Sequence, residues 1–335
     1  MKNGQIRFEY YLNQLQALIA KSSKQKNPAL WLYQNNARTP LFMLEGLAKL
    51  YSGIHNKKKF EKLKAHFKLL EDALGQIDYY DAFVKEFAKN KKIPAAIKNY
   101  IQAQSREKLQ SLNEILKEKE WISKGGIRIA KIRKKLAEAD WQKEKEEIES
   151  INSFYILAIK KILNFINQKD FHFENVEADV HELRRDIRWL SIYPQCLRGC
   201  IQLSKSKSSP KYLDKYLTKE ITGSPYNVMP DAGDCKHFLL LDKNRFYALS
   251  WLIAELGKLK DNGLRVVVIE EALLQTGKTN AADALKKAYQ LLRNAQRPAD
   301  KQLNLQQLLD NAETICKTYF KEKNLESLII GTAAI

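Results

Sequence analysis

Only 13 glycines and 8 prolines punctuate 335 residues, and this scarcity limits most strongly what the chain can fold into. Turns between strands consume these two residue types. So few of them argue against a strand-and-turn architecture and for long helices. Apolar spacing agrees. Segments 5–20 and 41–51 carry apolar residues at steps of three and four, the helical period. Phe60, Leu63, Phe67, Leu70, Leu74, Ile77 and Phe83 continue that period along a third segment. Pro94 is suited to opening the next helix, where its missing N–H costs little. Gly125-Gly126 breaks the pattern before IRIAKIRKKL, and a long helix is expected over roughly 140 to 167. Another starts near Asp179, a plausible cap, and Pro194 bends or ends it. Residues 204–235 gather Ser, Pro, Gly and Asp, which predicts a loop-rich insert with one short helix at about 211 to 219. Helices resume over 244–260, 281–296 and 302–320. The β-branched run Arg265–Ile269 is isolated, so it is expected as a buried helical segment rather than a strand.

Charge is the second constraint. Lys and Arg number 57 against 39 Asp and Glu, a formal net charge of +18. Residues 1–170 carry a net +14 and residues 171–335 a net +4. A field of that sign concentrates anions near the surface and favours polyanions such as nucleic acid or polyphosphate. Apolar residues make up 44% and aromatics 10%, which excludes wholesale disorder. No run approaches the roughly 18 apolar residues of a membrane span, so no membrane insertion is expected. The start, MKNGQIRFEYYLNQ, has no secretory apolar core. Cys196, Cys200, Cys235 and Cys316 lie in no paired spacing and suit a reducing compartment. The expected location is the cytoplasm.

The two halves share an order of motifs. Asn35-Asn36-Ala37-Arg38 opens a helix in the first, and His181-Glu182-Leu183-Arg184 opens one in the second. Each is followed by a helix bearing Leu-Gly and then Asp, at Leu74-Gly75…Asp78 and at Leu256-Gly257…Asp261. The shared order points to a duplication with a seam near residue 170. The expected architecture is all-α, with two packed helical bundles related by a pseudo-twofold, residues 1–170 and 171–335.

The most informative stretch is VHELRRDIRWL, residues 180–190. Val180, Leu183, Ile187 and Leu190 form an apolar stripe. His181, Arg184 and Arg188 form a second stripe about 100° round the helix, with Arg185 beside it. Guanidinium forks match phosphate oxygens with paired, charge-assisted hydrogen bonds, so this face is the leading anion-binding candidate.

His-x-x-Arg-x-x-x-Arg on an amphipathic helix, followed by a Leu-Gly…Asp helix, resembles the CHAD domain (conserved histidine α-helical domain). VHELRRDIRWLSIYP is similar to its second-repeat motif and LGQIDYYDAF to the segment after its first. The resemblance covers roughly residues 30–335. It implies two four-helix bundles with a basic groove between them and binding of inorganic polyphosphate, on polyphosphate granules in some members. His181, Arg184 and Arg188 match the motif, and Arg185 its frequent extra basic position. In the first repeat only Arg38 matches. Asn35 stands where the histidine would be, Thr39 at the extra basic position and Phe42 where the second arginine would be. Lys49 lies on the same stripe as Arg38. Arg128, Lys131 and Lys135, at i, i+3 and i+7, could refill the basic set, together with Lys124 and Lys57–Lys59.

Other signals are weaker. Gly277-Lys278-Thr279 lacks the Gly a phosphate-binding loop needs five residues earlier, where Ala272 stands. Cys196 and Cys200 share a helical face, but nothing completes a zinc set, so buried thiols are expected. Glu71, Asp72, Asp78 and Asp81 form an acidic cluster that could in principle hold a metal, and they read instead as helix caps and as partners for nearby Lys and Arg. The five Trp residues read mostly as core. No catalytic or metal constellation emerges and no cofactor is expected. The leading expectation is a non-enzymatic polyphosphate-binding module. RNA or DNA binding is the alternative, and a scaffold without polyanion specificity is a third. With the ordinary histidine pKa near 6.5, His181 would tighten polyanion binding modestly as pH falls.

Overall fold

In a computed structural model of the chain, residues 2–122, 126–204, 210–277, 279–295 and 304–334 are described. The first half supplies α1 (Asn3–Ser22), α2 (Pro28–Gln34), α3 (Arg38–Ile54), α4 (Lys57–Phe87), α5 (Ala95–Glu118), α6 (Ile127–Ala137) and α7 (Glu144–Lys169). The second half opens with a wide, π-helical turn, Val176–His181, running directly into α8 (Glu182–Leu197). After it come β1 (Ile201–Leu203), a short α9 (Lys219–Thr222), β2 (His237–Leu241), α10 (Lys243–Thr276), α11 (Ala281–Ala295), α12 (Leu305–Lys321) and β3 (Ile329–Ala334). The protein is an all-α fold carrying one small sheet. No helix among the described residues is long and apolar enough to cross a membrane.

Side-chain caps and backbone breaks set the helix ends. Asn27 accepts a hydrogen bond from the Leu30 N–H with Pro28 in the first turn, Asn56 caps α4 through the Lys59 N–H, and Asp242 caps α10 through the Arg245 N–H. Gly126, at φ 64°, starts α6 from a left-handed conformation that its missing Cβ permits. Asp179 does not cap α8 as expected. Asn175 caps the π-helical turn that leads into α8, accepting from the N–H groups of Glu177 and Ala178. Asp179 instead folds back to accept from the N–H groups of Glu174 and Asn175. Pro194 sits inside α8, which continues to Leu197. Residues 265–269 lie within α10, with Val266, Val268 and Ile269 buried.

The sheet departs from the expected all-helical order. β2 is its centre, parallel to β1 (Ile201 beside Leu239) and antiparallel to β3 (His237 beside Ala334). Its strands come from distant parts of the chain. β1 has three residues and β2 a five-residue apolar run, too short for periodicity to tell strand from helix. The expected helix at about 211–219 is a 3-10 turn, Lys211–Tyr216, followed by α9.

Both halves feed one buried cluster, including Phe8, Leu44, Phe67 and Tyr155 from the first and Leu183, Ile187, Leu249 and Tyr319 from the second. A smaller cluster joins the distal ends of α4 and α10 through Phe83, Phe87, Val266 and Ile269 with Ile97 and Ile101 of α5. Beside it the Tyr80 and Tyr100 hydroxyls both donate to Glu271. Of the tryptophans, Trp121, Trp141 and Trp189 are buried, and Trp31 and Trp251 pack against the core.

One charged contact lies inside the main core. Arg7 on α1 and Glu147 on α7 are 2.7 Å apart, and the Tyr51 hydroxyl of α3 donates to the same carboxylate at 2.7 Å. All three side chains are buried. Removing one partner strands the other charge without water. We expect Arg7→Met to cost about 3–5 kcal/mol in urea unfolding, and Arg7→Met/Glu147→Leu to recover most of that loss.

Candidate anion-binding cleft

A cleft of about 540 Å³ lies between α3 and α4 on one side and α8 and α10 on the other. Arg184 and Arg188 of α8 line one wall, and Arg38, Thr39 and Phe42 of α3 with Glu71 and Asp78 of α4 line the opposite one. Val180, Leu183, Ile187 and Leu190 are all buried, so the apolar stripe docks α8 and turns its basic stripe toward the opening.

A glycine seats each arginine. A Cβ on Gly257 would fall 3.1 Å from the Arg184 guanidinium, and one on Gly75 would fall 3.0 Å from that of Arg38. Both guanidiniums therefore lie close against the following long helix. Arg184 Nε donates to the Ile253 carbonyl at 3.0 Å. This contact is what the repeated Leu-Gly pair permits, and it occurs once in each half.

The walls differ in charge. Arg38 is held by Glu71 at 2.7 Å and Asp78 at 3.1 Å. Asp81 is tied to the Tyr33 hydroxyl at 2.7 Å and Lys85 at 2.6 Å, and Asp72 to Lys68 at 2.6 Å. The acidic residues of the first half thus pair with cations, as expected, and Asp81 also with the Tyr33 hydroxyl. No salt bridge among the described residues involves Arg184 or Arg188. The Arg188 guanidinium lies 4.4 Å from the centre of the Phe42 ring, which stacks on Trp189 at 4.9 Å. Phe42, standing where a second arginine would be, offers Arg188 an aromatic face instead.

Burial disfavours the charged forms on this wall. Burial lowers the Arg188 pKa to about 10, with Arg184 and Arg38 pushing the same way. Burial lowers Arg184 too. Next to them His181 is pulled down to about 4, by burial first and then by Lys260, Arg184, Arg185 and Arg188. Its Nδ1 is buried without a partner, and its Nε2 lies 3.9 Å from Glu177. Lys260, three residues after Gly257, is lowered by burial and by Arg184. Lys260 is the basic residue the motif reading missed. Its spacing from Gly257 was the available signal, since i and i+3 share a helical face.

The structure separates the remaining candidates from this cleft. Arg185 points to solvent and pairs with Glu182. Lys49 lines a different groove of about 940 Å³ between α3, α4, α7 and α8, 4.7 Å above the Trp189 ring and 4.0 Å from Asp186. Burial lowers its pKa to about 8. Arg128, Lys131 and Lys135 of α6 line a third depression with His66, and Lys131 pairs with Glu120 at 2.6 Å. They do not refill the basic set, because α6 packs on α1, not beside α8. Lys57 lines the Lys49 groove and Lys59 donates to the Glu138 carbonyl. Lys124 and Lys278 lie outside the described residues.

The insert supplies an edge that the loop-like composition did not foretell. Gln195 of α8 donates to the carbonyls of Tyr226 and Val228, and Ser250 of α10 donates to Asn227. This places the exposed Tyr226 at the cleft's rim. No family model matches this chain, and no curated protein does. Cys196, Cys200 and Cys316 are buried free thiols. Among the described residues no group of three His, Cys, Asp or Glu side chains could hold a metal ion.

Two pH-dependent outcomes follow from these positions. In the ligand-free protein His181 should titrate near pH 4 in an imidazole NMR titration. Behind the arginines, buried Glu45 is raised to about 7 by burial, with Glu71 and Asp72 acting in the same direction. Its folded-state pKa exceeds the ordinary value of 4.5. The stability of the protonated form is therefore present below that value and is lost as pH rises through about 7. Glu45→Gln should stabilise the fold at about pH 8 by on the order of 2 kcal/mol, seen as a higher melting temperature, and change it little at about pH 4.

Proposed function

We propose that this protein is a non-catalytic polyanion-binding module whose ligand is inorganic polyphosphate, held by Arg184, Arg188, Lys260 and His181. One observation carries the reading. Two part-buried guanidiniums face the same cleft with no salt bridge to a carboxylate among the described residues. Cations held out of water beside one another are stabilised when an anion reaches them. Phosphate oxygens suit guanidinium forks. The resemblance to the CHAD domain at residues 180–190 supports the same ligand, and with it a cytoplasmic setting on polyphosphate granules. The Arg–Gly contact made once in each half supports the duplication and the pseudo-twofold.

Single-stranded nucleic acid is the second reading, favoured by one feature. Tyr226, 78% exposed at the cleft's rim, could stack on a base. Competition separates the two at about 150 mM salt. Labelled long-chain polyphosphate is displaced by unlabelled polyphosphate, single-stranded RNA or duplex DNA at equal phosphate concentration. Polyphosphate should win. Arg184→Ala/Arg188→Ala should lose about 1.5–3 kcal/mol for each charged hydrogen bond removed. RNA competing as well as polyphosphate, with the effect lost in Tyr226→Ala, would reassign the ligand.

A gentler variant tests the seat of the arginine. Gly257→Ala pushes the Arg184 guanidinium away while improving helix propensity by roughly 1 kcal/mol. Polyphosphate affinity should fall while thermal stability does not. The proton linkage is also fixed in sign. A bound polyanion raises the His181 pKa from about 4, so affinity should be flat between about pH 8 and pH 7 and tighten toward about pH 5. His181→Gln should abolish that rise.

A further inference from the structure

We infer that the cleft takes a short stretch of phosphates, a few units long, and does not track an extended chain. This inference rests on the polyphosphate reading above. The cations Arg184, Arg188 and Lys260, with His181 neutral until an anion binds, form a finite track. From His181 to Arg188 is seven residues, about 10 Å along a helix. Arg184 lies between them, and Lys260 adjoins from α10, with Asp261 near both but in no salt bridge among the described residues.

Carboxylates close both ends of the track. Beyond His181 stands Glu177, 3.9 Å away. Beyond Arg188 stands Arg38, whose charge is already matched by Glu71 and Asp78. A chain continuing past either end would bring phosphate against carboxylate in a partly desolvated cleft, where like charges repel more strongly than in water. The other basic depressions offer no continuation. Lys49 lies in a separate groove, and Arg128, Lys131 and Lys135 line another depression. The +14 of the first half is therefore spread over surfaces away from this track.

The number of phosphates engaged can be read from the salt dependence. Each neutralised phosphate of a flexible chain contributes a log–log slope of about −0.7, so Arg184, Arg188 and Lys260 predict about −2 at about pH 7, rising to about −3 at about pH 5 where His181 is charged by the bound anion. We expect tripolyphosphate and long-chain polyphosphate to give that same slope, with matching affinity at equal phosphate concentration. A slope that steepens with chain length, beyond about −5, overturns the short track while leaving the polyphosphate reading intact. Absence of binding by either ligand overturns both.

Two carboxylates of the rims can be altered without disturbing the core, since the side chains of Asp78 and Glu177 are 55% and 66% exposed. Asp78→Asn/Glu177→Gln should raise long-chain affinity by about threefold or more and steepen its slope, with tripolyphosphate changed by less than about twofold. An equal gain for both ligands would show that the carboxylates act only on the net field and do not bound the site.

Discussion

An arginine pressed against a glycine on the neighbouring helix sets the geometry of the cleft. On α10 the missing side chain of Gly257 lets the Arg184 guanidinium sit within 3.1 Å of where a Cβ would be, anchored to the Ile253 carbonyl. Without that approach the arginine would swing to solvent, where an ion pair or a phosphate contact is worth little. The same contact on α4 holds Arg38 against Gly75. The difference lies in what surrounds each one. Arg38 is fully occupied by Glu71 and Asp78. Arg184 and Arg188 make no salt bridge among the described residues; they meet a carbonyl, an aromatic ring and each other, with Asp261, Glu71 and Glu45 acting only from a distance.

Much of this was legible in the sequence. The helical periods and the apolar stripe of residues 180–190 reappear as buried faces, because a 3.6-residue repeat leaves a helix one way to dock. The paired order of arginine and Leu-Gly motifs marked both helix pairs, and in each the arginine meets the glycine of its Leu-Gly pair. What the sequence concealed was mostly non-local. Lys260 joins Arg184 only because α10 packs against α8, and Phe42 becomes a floor for Arg188 only because α3 crosses α8. The lysines and arginine of α6 looked equally good on spacing, but spacing cannot say which way a helix faces in the assembled molecule. The sheet escaped for a related reason, since each strand is too short to carry a period and finds its partner far along the chain.

Charge shows the same limit. The first half holds most of the positive excess, yet its wall of the cleft is lined by carboxylates. Net charge governs how fast an anion arrives. Affinity depends instead on which cations lack partners once the chain has folded, and those lie mostly in the half with the smaller excess. His181 shows how far the fold overrides composition, since burial beside three arginines and Lys260 keeps it neutral at pH 7.

The placement of β3 has a consequence for biosynthesis. β2 is the central strand, and its run His-Phe-Leu-Leu-Leu is covered on one edge by β1 and on the other only by residues 329–334. During translation the apolar strand emerges long before its second partner. Until residue 334 has left the ribosome, β2 presents an open row of N–H and C=O groups to any other extended chain. A nascent chain stalled within α11 or α12 is thus the species most exposed to strand-mediated aggregation.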